Sequence, residues 1–307
     1  MKYKYHGYMK KKILFLGSGG FIGQETYNQI KNIDIFDVYR FSVQKNQFID
    51  TQGVNIKEFD ILIFAAGIHQ GSEKDNDIFL SNKKIIKALY LFSKKIKSCV
   101  FISSFKTSIN FSKKIVSEEN KYNVFSIDSS YGKTKIINEK IALKLFKKRL
   151  IKFKIVSPTH VIGPGKDGLN NYDILKRKKK LLNILPDCFI PFIDVRDVAR
   201  YIKKIIIENN FDNKKIILNT VNLHFKDYIQ IIKKNNLFNF NITINKKFLK
   251  IFYTLNKFIF KFNFLTKFRF KYINSNIQTI INKEMKENIS IEKSIKDVLN
   301  LYNNQYR

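Results

Sequence analysis

Four apolar residues, Ile13-Leu14-Phe15-Leu16, run directly into Gly17-Ser18-Gly19-Gly20-Phe21-Ile22-Gly23. An unbroken apolar run this short reads as a strand buried on both faces, and residues 21–30 carry a helical pattern. The glycines Gly17, Gly20 and Gly23 therefore fall where a strand gives way to a helix. Such a junction needs a tight turn, a bare backbone and close packing of helix on sheet. The helix start also offers amides and a partial positive charge, so Gly17, Ser18, Gly19, Gly20, Phe21, Ile22 and Gly23 form a candidate cradle for the pyrophosphate of a dinucleotide. A glycine turn that serves packing alone is the alternative.

The same alternation continues along the chain. Apolar runs at 33–41, 60–66, 99–103 and 153–156 read as strands, and helical patterns occupy 82–95 and 130–147. Strand and helix in regular succession predict an α/β fold with a Rossmann-type, doubly wound parallel sheet. Beyond Gly163 the pattern changes. Gly163-Pro164-Gly165 and Asp167-Gly168 make a turn-rich stretch, followed by a basic helix at 174–185, strands at 192–195 and 216–220, and a helix at 198–207 between them. In the tail, Leu249, Phe252, Leu255, Phe258, Phe262 and Leu265 recur among lysines, the spacing of an amphipathic helix over 248–270. That helix could pack over a substrate cleft or rest weakly on an anionic membrane surface. The expected division is a dinucleotide-binding domain over 9–165 and 190–224, with a smaller, mostly helical substrate-binding portion over 166–189 and 225–307. Residues 1–8 form a loose extension.

The net charge of +32, from 57 basic and 25 acidic residues, would ordinarily raise nucleic acid as a partner. Here the lysines are dispersed among abundant Ile, Asn and Phe, which describes a solvated surface and not a binding stripe. Nucleic acid is not expected as a partner, although the charge would help attract a polyanionic small ligand. Cys99 and Cys188 have neither zinc nor disulfide spacing, which fits a reducing, cytoplasmic setting. The basic start imitates a signal peptide, but Gly17 interrupts the apolar run almost at once, so a first strand is the better reading. His69 and His224 stand apart from other ligand types, and no metal is expected.

A second motif, Tyr131-Gly132-Lys133-Thr134-Lys135, carries the chemistry. On a helix, Lys135 lies one turn beyond Tyr131 on the same face, so its ammonium can favour the phenolate of a group that otherwise ionises near ~10. A dinucleotide turn with an activated tyrosine is what hydride transfer coupled to proton exchange requires. The end of the second strand separates the two nicotinamide cofactors, because a carboxylate there binds the ribose hydroxyls and an arginine accepts a 2′-phosphate. Val38-Tyr39-Arg40-Phe41 offers Arg40, with Asp37 directed elsewhere, which favours NADP over NAD; an ordinary surface arginine is the alternative.

At these residues the chain resembles an extended short-chain dehydrogenase/reductase, in the branch of nucleotide-sugar epimerases, dehydratases and reductases. Residues 16–23 are similar to the family's glycine turn, with Leu16 where threonine is usual. Residues 60–67 resemble the strand that passes the adenine and ribose, which implies cofactor contacts at Ala65, Ala66 and Gly67, with Phe64 where histidine is often found. Asn82 corresponds to the asparagine heading the next helix, and Phe101-Ile102-Ser103-Ser104 to the strand that delivers the catalytic hydroxyl, placed on Ser104. Tyr131 and Lys135 match the catalytic pair. Ser157-Pro158-Thr159-His160-Val161-Ile162-Gly163-Pro164-Gly165 resembles the family's Arg-Pro-x-x-x-x-Gly-Pro-Gly stretch, with Ser157 replacing arginine and Pro158 at the cofactor. Ile193-Asp194-Val195-Arg196-Asp197-Val198-Ala199 resembles the strand-to-helix join near the substrate, and 289–302 the closing helix.

The resemblance implies a reductase or epimerase acting on a nucleotide-diphosphate sugar, with Ser104, Tyr131 and Lys135 catalytic. Family members that eliminate water carry an acidic pair after the catalytic hydroxyl. Phe105 and Lys106 stand there, which argues against a 4,6-dehydratase. The Ser-Ser-x-Lys arrangement resembles enzymes of surface-polysaccharide sugar synthesis. By resemblance alone, Lys106, Asn170 and Asn171 are candidate substrate contacts, and a homodimer through the helix beginning at Ser130 is the family's habit. A non-catalytic dinucleotide-binding sensor or assembly protein of the same fold is the competing reading. Asp197 is expected to cap the following helix, and His160 either packs against the sheet or faces the nicotinamide.

Overall fold

The computed structural model describes residues 9–43, 45, 47–49, 57–67, 75–111, 113–119, 130–165, 183–233, 241–244, 251, 253–254, 276–282 and 288–305. In chain order the first half runs β1 (Lys11–Leu16), α1 (Phe21–Ile30), β2 (Phe36–Ser42), β3 (Gln47–Ile49), β4 (Phe59–Phe64), α2 (Asp75–Phe92), β5 (Ile96–Ile102), a short 3₁₀ turn (Phe105–Ser108) and β6 (Ile115–Val116). The second half runs α3 (Ser130–Lys148), β7 (Lys152–Pro158), β8 (His160–Ile162), β9 (Asn183–Pro186), β10 (Phe189–Asp194), α4 (Val195–Glu208), β11 (Lys214–Leu218), β12 (Val221–His224), α5 (Phe225–Lys233), β13 (Asn241–Ile244), β14 (Gln278–Thr279) and α6 (Ile291–Gln305).

The main sheet has the order β11-β7-β5-β4-β1-β2-β3. β1 lies between β2 and β4 and is parallel to both, while β5 is parallel to β4 and β7. Chain direction across the sheet therefore reverses at β1 and β4, the switch point where a doubly wound sheet opens a crevice beyond its strand ends. This is the expected Rossmann-type sheet, with one antiparallel addition at the edge, β3 against β2. Ile13, Leu14, Phe15 and Leu16 are all inaccessible to solvent, as an apolar run covered on both faces must be. Phe64 stacks on Phe101 at 5.1 Å between ring centroids, and Phe101 meets Phe146 of α3 edge-on at 6.3 Å.

Several boundaries differ from expectation for identifiable reasons. Ile33 lies outside the second strand, because its amide donates to the Ile30 carbonyl and its own carbonyl accepts from Phe36 in a turn. Ala65 and Ala66 lie beyond β4, not in it. Asn82 does not head its helix: α2 begins at Asp75, about two turns earlier. The strand expected at 216–220 stops at Leu218. The Asn219 amide is taken by the Asn282 side chain at 2.7 Å and the Thr220 amide by the Phe192 carbonyl at 3.1 Å. Residues 183–185, expected to end a basic helix, are strand.

The chain divides into two compact units, one of Met1–Ser104, Thr134–Ser157 and Val198–Ile216, the other of Phe105–Lys133, Pro158–Asp197 and Ile217–Arg307. The second has its own core. β10 pairs antiparallel with β12 and parallel with β8, and Phe192 of β10 stacks on Tyr228 of α5 at 4.9 Å, with Ile291, Ile295 and Val298 of α6 in the same cluster. β9 pairs with β13, and β6 with β14, each in parallel. Among the described residues, no helix is long and apolar enough to cross a membrane.

Candidate functional site

In the first unit the glycine turn folds against the backbone that follows β4. Gly17 has φ +84°, in the region that L side chains rarely adopt, and a Cβ there would stand 2.4 Å from the Ala66 amide nitrogen. A Cβ on Gly23 would stand 2.0 Å from the Gly17 carbonyl oxygen. Packing explains these two. It does not explain Gly19, where a Cβ would meet nothing within 4 Å. The turn thus presents one uncovered backbone face, immediately before a helix that has no side-chain N-cap and no acidic residue in its first turn. Uncapped first-turn amides suit an anion.

Arg40, near the end of β2, folds back onto this turn. Its Nε donates to the Ser18 hydroxyl at 2.9 Å, and its guanidinium carbon lies 4.4 Å from the centre of the Tyr27 ring on α1. Asp37 is engaged elsewhere, with Lys10 at 3.4 Å, so the described tip of β2 presents a cation and not a carboxylate.

Ala65 donates its amide to the Leu16 carbonyl at 2.8 Å, tying the end of β4 to the end of β1. Gly67 follows, and a Cβ on it would stand 2.8 Å from Lys135 Nζ. The Lys135 ammonium therefore lies against the same strand ends as the glycine turn. Enclosure by protein pulls its pKa down to about 8, with the Glu139 carboxylate one turn further along α3 opposing that shift. Asn82 accepts a hydrogen bond from Asn138 at 3.1 Å and so joins α2 to α3. Ser104 is buried just past β5.

In the second unit, Tyr131 lies half-buried in the first turn of α3, and Lys106 Nζ sits 5.3 Å from its ring centre, within cation–π range. Lys106 belongs to the 3₁₀ turn beyond β5. His160 is packed: its ring lies 5.1 Å from Phe105 and 6.0 Å from Phe192, with Nδ1 3.2 Å from the Pro191 carbonyl. Only an N–H can bond a carbonyl, so Nδ1 carries the proton. Burial first, and then the Lys106 charge, depress the imidazole to about 3, against the support of that hydrogen bond. Pro158 is buried at the end of β7.

Asp197 does not cap α4. The cap is Asp194, whose Oδ1 accepts from the Arg196 amide at 2.8 Å, because the helix begins at Val195, three residues earlier than expected. Asp197 instead accepts from the Ile289 amide at 3.0 Å. Asp194 also holds Arg196 through two 2.8 Å contacts, and Arg196 reaches Asp297 of α6 at 2.6 Å. Asn170, Asn171, His69, the basic segment 174–182 and nearly all of 248–270 lie outside the described residues. Among the described residues, no group of three His, Cys, Asp or Glu could hold a metal.

The residue that sequence reasoning missed is Glu139. Fully buried, it accepts a short hydrogen bond from the Ser103 hydroxyl and pairs with Lys215 of β11 at 2.9 Å. A signal existed: it is the single acidic residue of α3, placed one turn after Lys135 and two after Tyr131.

The family model "NAD dependent epimerase/dehydratase family" matches residues 13–220. Comparison with curated proteins returned no match. Among solved structures, the chain is similar to a UDP-glucuronic acid 4-epimerase variant from Bacillus cereus in complex with NAD and a fluorinated UDP-glucuronic acid, at TM-score 0.70 and 15% identity over 96% of this chain and 100% of that one. It is similar to a dTDP-4-dehydrorhamnose reductase from Clostridium acetobutylicum, at TM-score 0.64 and 18% identity over 95% and 99%. It is also similar to RMD from Pseudomonas aeruginosa complexed with NADPH, at TM-score 0.66 and 13% identity over 94% and 99%. With more than half its length matched by the family model, the chain belongs to the NAD-dependent epimerase/dehydratase family.

Proposed function

We propose that this protein is an NAD(P)-dependent reductase or epimerase of a nucleotide-diphosphate sugar, working through Ser104, Tyr131 and Lys135. The observation that carries the reading is the Lys135 ammonium against Gly67, at the strand ends where the glycine turn lies, on the helix that bears Tyr131 one turn earlier. The residues present fit a dinucleotide: Gly19 leaves backbone uncovered, α1 begins without a side-chain cap, and Arg40 stands over the turn. A bound nicotinamide would supply or accept the hydride. Tyr131 exchanges a proton with the sugar oxygen, Ser104 orients that oxygen, and the Lys135 charge favours the phenolate. Phe105 and Lys106 offer no carboxylate for eliminating water, which supports net reduction or epimerisation over dehydration. Solved structures of this fold with UDP-glucuronic acid, UDP-glucose, NAD and NADPH support the substrate and cofactor classes. A cytoplasmic role in surface-polysaccharide sugar synthesis, and a homodimer through α3, belong to the same reading.

The test is purified protein with NADPH and a 4-keto nucleotide sugar, and separately with NAD and UDP-glucuronic acid or UDP-glucose. Loss of nicotinamide absorbance in the first arm, or appearance of the C4 epimer in the second, is expected. Inactivity in every arm despite tight dinucleotide binding would favour a non-catalytic sensor. Arg40 makes a further prediction, since a guanidinium on a phosphate is a charge-assisted contact. Arg40→Ala should weaken NADPH binding by about tenfold to a hundredfold and NADH binding by less than about twofold. Fluorescence titration with both cofactors checks this, and equal losses would return Arg40 to the role of an ordinary surface residue.

A further inference from the structure

We propose that Glu139 is a positioning residue for the reaction, holding the strand end that carries Ser104 through Ser103 and sharing its charge between Lys215 and Lys135. This rests on the catalytic reading of Lys135 given above. Glu139 is fully enclosed, and its two oxygens are divided. Oε2 accepts from the Ser103 hydroxyl, next to Ser104, and Oε1 meets Lys215 Nζ at 2.9 Å. The Ser103 amide is itself anchored on the Val156 carbonyl of β7 at 2.7 Å, so the carboxylate on α3 joins the segment just past β5 to β11, and that segment is tied in turn to β7. Lys135 stands one turn before Glu139 on the same helix and interacts electrostatically with it.

Among the described residues, three elements bring the charged and polar groups named here to this cluster. α3 contributes Lys135 and Glu139, β11 contributes Lys215, and β5 presents the neutral hydroxyl of Ser103. α2 presents neutral Asn82 toward Asn138, and the loop after β4 presents the backbone of Gly67 to Lys135. Lys135 thus feels Glu139 minus whatever Lys215 cancels. The two residues should act on it with opposite signs.

That opposition separates tuning from scaffolding. Removing the Glu139 charge takes away the anion that supports the ammonium, so Lys135 loses its proton at lower pH. Removing the Lys215 charge leaves Glu139 less neutralised, so Lys135 keeps its proton to higher pH. Competitive labelling of the whole protein with acetic anhydride, read by peptide mass spectrometry across a pH series, reports the Lys135 midpoint without any substrate. From a wild-type midpoint of about 8, Glu139→Gln should lower it, and Lys215→Met raise it, by about one pH unit each. Movement of both midpoints in one direction, or of neither, would overturn the proposal. Should Glu139→Gln fail to fold, the upward shift in Lys215→Met decides alone. Because the labelling needs no turnover, its failure stays distinct from failure of the catalytic reading, which the activity of Tyr131→Phe decides.

Discussion

Tyr131→Phe should lower turnover by about a thousandfold or more and leave dinucleotide binding within about twofold, because the change removes one hydroxyl and little else. The ring that Lys106 approaches at 5.3 Å is kept, and Lys135 keeps its place against Gly67. On the proposed mechanism, what is lost is the proton donor. Proton exchange by a positioned side chain contributes about a hundredfold to ten-thousandfold, which sets the size of the expected loss. Steady-state rates with the nucleotide sugar that the wild type turns over, NADPH titration and a thermal melt should be measured together on wild type and variant. A variant that binds cofactor, melts normally and turns over at the wild-type rate would refute the assignment of Tyr131.

The second large effect concerns the turn itself. Gly23→Ala should cost about 3 kcal/mol or more in stability and abolish dinucleotide binding, since the added methyl would stand 2.0 Å from a backbone oxygen. No rotamer relieves that contact. Either Gly17 or the first turn of α1 must move, and Gly17 is already pressed on the Ala66 amide. Gly19→Ala makes the contrast. With nothing within 4 Å of its Cβ, it should melt within about 0.5 kcal/mol of wild type, apart from the intrinsic change of residue, while still weakening the cofactor. Chemical denaturation paired with NADPH titration separates the two glycines. Equal loss of stability in both variants would show that the whole turn serves packing.

Much of this architecture is legible in the sequence, and the reasons are local. α1 spans Phe21–Ile30, as its pattern predicts, because glycines punctuate its start and the buried positions Gly23, Thr26 and Ile30 keep helical spacing. The alternation that predicts the sheet survives because buried parallel strands need no help from distant residues to look apolar. Where the reading failed, the deciding partner was remote. Strand propensity around Ile33 lost to a turn, and the strand expected to reach Thr220 lost to Asn282 and Phe192. The cap on α4 moved from Asp197 to Asp194 because the helix starts earlier than its apolar spacing suggests. The three-residue β8 and the four-residue β12 are too short to show a period of their own. The contact of Arg40 with Ser18, 22 positions apart, and that of Glu139 with Lys215, 76 apart, exist only once the sheet has assembled.

The antiparallel edge of the main sheet has a consequence for the life of the molecule in a crowded solution. A long strand at an open sheet edge is a template on which another chain can add itself. β3 offers only three residues, and its Phe48 lies 5.0 Å from Phe41 and 6.4 Å from Phe92, drawn toward the fold. A stub this short and this occupied leaves an incoming strand little ladder to copy. Together with a net charge of +32, it leaves a chain rich in β-branched and aromatic residues with like charge opposing edge-to-edge addition at β3.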